Sequence, residues 1–177
     1  MAHKSQRVGI FVDVQNMYYS AKHLYGTKVD FRELLRIAVQ QRNLIRAIAY
    51  VIRADIKEEE GFFDALKKMG FEVKAKDLQV FYGGAKKGDW DIGIAMDTIE
   101  LAPKLDTVVL VSGDGDFVPL VRHIKYAMGC RVEVLAFGRS SSSKLIEEAD
   151  DFYDLDKLRS VLKPMRHRPR PEETLTQ

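Results

Sequence analysis

Four aspartates stand where elements of the chain begin or end. Asp13 closes an apolar run, Asp91 opens a helical stretch, and Asp114 and Asp116 sit in the glycine-rich turn Ser112-Gly113-Asp114-Gly115-Asp116. Carboxylates gathered at one place repel each other and stay ionised only if something positive sits between them. Oxygen donors of this type suit a hard divalent cation such as Mg²⁺ or Mn²⁺. A cation held this way can assist hydrolysis of a phosphodiester by water without a covalent nucleophile. No Ser-His-Asp arrangement can be assembled from the chain, which agrees with that chemistry.

Each acid also has a plainer use. Asp91 and Asp116 could cap the helices they precede or open, and Asp114, between two glycines, could form a turn. Asp13 is harder to dismiss, because a carboxylate ending an apolar strand needs partners or a metal. Asp97 lies six residues beyond Asp91, roughly 120° around a helix. It is therefore either a supporting carboxylate behind the site or a hydrogen-bond partner for a neighbouring strand, and the second role is favoured.

The elements that would position these groups alternate along the chain. Arg7–Asp13 reads as a buried strand, Asn16 to Tyr25 as a helix ending at Gly26, and Asp30 as the cap of a helix running through Gln40. Leu44–Ile52 is a second strand. Ile56 to Met69 is a helix closed by Gly70. Glu72–Lys74 and Leu78–Tyr82 are weaker strands, followed by a loop, Gly83 to Gly88. A helix from Asp91 to Ala102 stops at Pro103. Thr107–Val111 is the clearest buried strand, and after the aspartate turn a helix runs from Phe117 to Met128. Arg131–Phe137 is a further strand. The serines Ser140–Ser143 lead into a short helix near Ala149, and Asp156 would cap a last one. Strands alternating with helices imply an α/β fold with a mostly parallel sheet covered on both faces. In such sheets ligands bind at the carboxyl ends of the strands, which is where all four aspartates arrive.

At 177 residues the chain suits one domain, expected over 1–163, with a polar, proline-rich, disordered tail over 164–177. A net charge of +2 neither shows nor excludes nucleic-acid binding. The single cysteine, Cys130, rules out an internal disulfide framework and reads as a small core residue. No apolar stretch approaches the length of a membrane span or signal peptide, so a cytoplasmic location is expected.

Three segments carry a resemblance: FVDVQN at Phe11–Asn16, KKGDWDIGIAMD at Lys86–Asp97 and SGDGDFVPL at Ser112–Leu120. With them the chain resembles the NYN domains of the LabA-like group, within the PIN-like nuclease superfamily, over roughly residues 7 to 155. The resemblance implies a Rossmann-like, PIN-type three-layer sandwich whose acidic pocket binds Mg²⁺ or Mn²⁺ and cuts RNA. It implies that Asp13, Asp91, Asp114 and Asp116 are the metal-binding, catalytic acids, supported by Asn16 and Ser112. The motif usually has one apolar residue between lysine-glycine and the helix-start aspartate. Here Asp89 and Trp90 separate Gly88 from Asp91. PIN domains outside this group often add an acid from an earlier helix. Glu58, Glu59 and Glu60 read instead as a solvated face.

Lys86, Lys87 and Arg53 are candidates for phosphate contacts and Tyr82 for stacking on a base of single-stranded RNA. Two copies could pair through an edge strand or the final helix. The alternatives are a catalytically quiet module binding RNA or protein, or a small-molecule phosphohydrolase. The latter would want Asp-x-Asp after the first strand, where the chain reads Asp13-Val14-Gln15. A dinucleotide-binding enzyme is weaker still, since no Gly-x-Gly-x-x-Gly follows that strand.

Overall fold

The computed structural model describes residues 4–53, 56–80, 86–87 and 89–164, with side chains described throughout these except at 56–58, 79–80 and 86–87. The continuous apolar runs become the middle of a parallel sheet. Strand β1 (Arg7–Asp13) pairs with β2 (Asn43–Arg53) on one side and with β6 (Thr107–Val111) on the other. Strand β3 (Glu72–Asp77) extends the sheet beyond β2, and β7 (Arg131–Ala136) and β8 (Asp151–Asp154) extend it beyond β6. The order is β3-β2-β1-β6-β7-β8, and all six strands run parallel. All five residues of β6 are buried, as expected for a strand covered on both faces.

Strand order reverses between β1 and β6, so helices that follow right-handed crossovers fall on opposite faces on either side of that point. Helices α2 (Phe31–Val39) and α3 (Ile56–Met69) belong to one half. Helices α4 (Asp91–Leu101), α5 (Val118–Arg122) and α6 (Ser143–Glu148) belong to the other. Helix α1 (Val14–Tyr25) lies across the carboxyl ends of the strands. Asn16 Oδ1 accepts from Gly113 N, just after β6, at 3.0 Å. Ser20 Oγ meets Ser140 Oγ, after β7, at 2.9 Å. The Tyr25 hydroxyl donates to Asp156, after β8.

One buried ion pair ties the two halves together. Arg42 makes a two-pronged contact with Glu133 of β7, both N–O distances being 2.8 Å. The same guanidinium donates to the carbonyls of Ala38 and Val39, which end α2. The charged groups of the pair are therefore hydrogen-bonded although both side chains are buried.

Several expected elements take a different form. Helix α1 starts at Val14 rather than Asn16, because Asp13 itself caps it by accepting from Asn16 N. The stretch expected as one helix over 117–128 is a 3-10 turn at Gly115–Phe117, then α5, then a π-helical turn at His123–Ala127. Part of the glycine-rich loop pairs: β5 (Lys86–Lys87) runs antiparallel to β4 (Gln79–Val80), which falls within the expected strand 78–82, whose residues 81 and 82 lie outside the described residues. Among the described residues no last helix forms. Residues 151–154 instead become the edge strand β8, and two 3-10 turns follow, at Leu155–Lys157 and Arg159–Val161. Asp154, not Asp156, caps the first of these by accepting from Asp156 N. The expected tail from 165 onward lies outside the described residues.

Candidate metal centre

The strand order reverses between β1 and β6, the point at which open α/β sheets have their ligand crevice, and the acids are gathered at the elements that meet there. Asp91 occupies the first turn of α4. Its N-cap is Trp90, whose side chain makes no capping bond, so the carboxylate of Asp91 is not used as a cap. Trp90 works as an anchor. Its indole Nε1 donates to the carbonyl of Val51 at 2.8 Å, and its ring packs against Tyr50 at 5.3 Å. A Cβ at Gly93 would come within 2.4 Å of that ring, so glycine lets the helix start close against the indole.

The turn after β6 delivers the next two acids. Asp114 accepts from Asp116 N at 2.9 Å and so shapes its own turn. Gly113 is pressed against Ser141, where a Cβ would meet the hydroxyl at 2.4 Å, and Gly113 O accepts from Ser142 N. The serine run thus walls the aspartate turn. Ligand oxygens of Asp91, Asp114 and Asp116 all lie within 4.8 Å of one another.

Asp13 adjoins this group with its carboxylate already engaged. It accepts from Asn16 N at 3.1 Å and from the Ser112 hydroxyl at 3.1 Å. Ser112 is fully buried and accepts in turn from Asp114 N. A chain of short contacts therefore links Asp13, Ser112 and Asp114.

The electrostatics follow from this crowding. Burial, followed by the charges of Asp114, Asp13, Asp89 and Asp116, raises the Asp91 carboxyl to about 6. Burial also raises Asp13, against the opposing bonds from Asn16 and Ser112, and the charges of Asp114 and Asp89 add to the rise. Among the described residues no lysine or arginine forms an ion pair with Asp13, Asp91, Asp114 or Asp116. Three converging carboxylates, oxygen donors only and without a cationic side chain among them, fit a hard divalent cation.

Other expected residues fall elsewhere. Asp97 accepts from the Tyr50 hydroxyl at 2.7 Å and from Lys74 Nζ at 2.6 Å, which ties α4 to β2 and β3. Burial works to raise its carboxyl, but these two partners outweigh it and hold Asp97 below the usual range. Arg53 lies 3.5 Å from Asp77, with its guanidinium over the Phe63 ring. Tyr82 lies outside the described residues, and Lys86 and Lys87 are described only as strand β5. Glu60 is exposed, whereas Glu59, expected on a solvated face, is half-buried. Cys130 is buried, and that burial pushes its thiol up to about 11, as suits a core residue.

Two residues that sequence reasoning did not assign to the site belong to its surroundings. Asp89 adds negative charge at both Asp13 and Asp91. Trp90 fixes the start of α4. Both occupy the extra length before Asp91, and that departure from the usual motif was the available signal.

Comparisons with known proteins agree with this architecture. The chain is 29% identical to the low amplitude and bright protein LabA of Synechococcus elongatus, over 97% of this chain and 95% of that one. It superposes with a TM-score of 0.83 on the crystal structure of a protein of unknown function from Vibrio parahaemolyticus. That protein is 37% identical, with 92% of this chain and 99% of that chain covered. No described helix is long and apolar enough to cross a membrane. Residues 7–156 match the NYN domain, and the chain belongs to that family.

Proposed function

We propose that this protein is a ribonuclease that hydrolyses phosphodiester bonds of single-stranded RNA with Mg²⁺ or Mn²⁺ as cofactor. The observation that carries this reading is the convergence of Asp91, Asp114 and Asp116 oxygens within 4.8 Å at the strand-order reversal. These three residues would hold the cation. Once bound, it would supply Lewis acidity for attack by water and neutralise charge gathering on the phosphate.

The chain's own groups prepare the site. Asp13 holds the Ser112 hydroxyl, which receives Asp114 N and so keeps the aspartate turn in register with β1. Asn16 holds Gly113 N from the α1 side. Asp13 is thereby a positioning acid that also adds negative charge. Lys86, Lys87 and Arg53 remain candidates for phosphate contacts, with Tyr82 for a base. The domain doing this work spans 1–163, with a basic tail after it, in a cytoplasmic protein.

The test is incubation of the purified protein with labelled single-stranded RNA, single-stranded DNA and duplexes, in Mn²⁺, Mg²⁺ or EDTA. Cation-dependent cutting of RNA that disappears in Asp114→Asn is the expected result. No cutting with either cation would overturn the reading and leave a binding module of the same fold.

A further inference from the structure

A cleft of about 480 Å³ is lined by residues of α1, α2, α3 and the end of β2. That volume is in the range of cavities that enclose a small organic ligand. Its floor is apolar and buried, with Val14, Val51 and Phe63 among its residues. Its walls carry aromatic rings that remain open to solvent: Tyr18 is 40% exposed, Tyr19 57% and Phe62 38%. Tyr18 and Tyr19 meet edge to face at 5.5 Å, and Lys22 Nζ sits 5.6 Å above the Tyr18 ring.

The rim is basic. Lys28 and Lys163 both line the cleft, and the backbone holds them side by side. Lys163 N donates to Lys28 O at 2.8 Å, next to the bridge between Val29 and Leu162. Both lysines are exposed, and neither forms an ion pair with a described residue. Glu59 is the acid on the wall, and Gln15 supplies an amide.

We propose that this cleft stacks a nucleobase of single-stranded RNA next to the scissile phosphate, with Lys28 and Lys163 contacting the flanking backbone. The proposal rests on the nuclease reading and adds its substrate subsite. Three features favour a base in a polyanion over other occupants. Solvent-open tyrosine rings offer π-faces to any base without a sequence requirement. Paired lysines on the rim complement phosphate. The cleft also adjoins the acids within the chain itself. Asp13 contacts Ser112 of the acid turn, and the next residue, Val14, belongs to the cleft floor. Trp90, which anchors Asp91, bonds to Val51 of the same floor. One extended strand can therefore lay a phosphate at the acids and a neighbouring base in the cleft.

The test uses the full chain carrying Asp114→Asn, so that probes stay uncut. A short fluorescein-labelled single-stranded RNA and the same backbone made of abasic sites are titrated by fluorescence anisotropy. The RNA is expected to bind about 10-fold or more tighter than the abasic strand. Adding Tyr19→Ala should remove most of that difference by weakening RNA alone, with Tyr19→Trp restoring it. Lys28→Glu with Lys163→Glu should weaken both probes and reduce the salt dependence. Equal affinity for RNA and abasic strand overturns the proposal, as does a Tyr19→Ala protein that binds RNA unchanged. Conversion of a dimer to a monomer by Tyr19→Ala also overturns it, because a second copy would then own the cleft. Wild-type cleavage in Mn²⁺, run alongside, separates the two ideas. Cutting without base-dependent binding sinks only the cleft. Base-dependent binding without cutting sinks only the nuclease.

Discussion

Replacing Asp91 with asparagine should make the metal-free protein more stable at neutral pH. Burial and four neighbouring aspartates lift the Asp91 carboxyl from 3.8 to about 6 in the folded chain. A raised carboxyl favours the fold in its protonated form. That contribution is complete below the unfolded value near 3.8 and is lost as pH rises through about 6. At pH 7.5 the ionised group therefore works against folding. At about 1.4 kcal/mol per pH unit the full penalty is about 3 kcal/mol, and solvent at this part-exposed site reduces it to about 1–2 kcal/mol. For a domain of this size that corresponds to a Tm rise of about 3–6 °C in Asp91→Asn. The assay is thermal unfolding followed by circular dichroism, in EDTA, from pH 4 to 8. The gap between variant and wild type should open as pH rises from about 4 to above 6. In saturating Mn²⁺ the order should reverse, because only wild type gains the full binding energy. A variant no more stable than wild type in EDTA at pH 7.5 would refute the argument that the cluster stores repulsion relieved by a cation.

Four further outcomes follow from the geometry. Ser112→Ala removes the hydroxyl linking Asp13 to the Asp114 amide, and should lower Mn²⁺ affinity or RNA cleavage by about 10–100-fold with little loss of fold, measured by cation titration and gel assay. Glu133→Ala strands the buried Arg42 guanidinium and should cost about 3–5 kcal/mol in urea unfolding, whereas replacing both partners by methionine should cost far less. Trp90→Ala removes the bond to Val51 and the packing on Tyr50. It should weaken Mn²⁺-induced thermal stabilisation more than it lowers the Tm of the metal-free protein. Cys130 should ignore a thiol reagent at pH 8 until the protein is unfolded in urea, since its thiol is buried and titrates at about 11.

What could be read from the sequence was set by how strongly each segment declares its environment. TVVLV at 107–111 has no polar face, and it became a strand with every residue buried. The cap at Asp30 and the closing glycine at Gly70 mark their helices because each satisfies a local backbone need. Residues 151–154 give no such sign. Asp-Phe-Tyr-Asp is short, acidic at both ends and only half-buried, and it is a strand because β7 offers it an edge. The helix over 117–128 has adequate periodicity, yet its backbone changes pitch twice, which side-chain pattern does not encode. At the site, the turn after β6 and the start of α4 bring Asp91, Asp114 and Asp116 to one edge. Whether an acid there faces a ligand or its own backbone depends on contacts across elements, and Asp13 has its carboxylate largely engaged by α1 and Ser112. Tyr18 and Tyr19 are adjacent on α1, and only the placement of α3 and of residues 28 and 163 turns them into walls of a cleft.

Helix α1 makes the sheet's carboxyl edge mechanically continuous. Its twelve residues span about 18 Å, from the cap at Asp13 to the Tyr25 hydroxyl on Asp156. In between it is pinned at Gly113 and Ser140. A rod fastened at both ends and in the middle transmits a displacement instead of absorbing it. A shift of the last turns after β8 would therefore arrive at Asp13 and Asn16, where the acid turn is held. Residues far from the crevice thereby acquire leverage over its spacing, and the most remote of them, Tyr25 and Asp156, sit at the end of the longest arm.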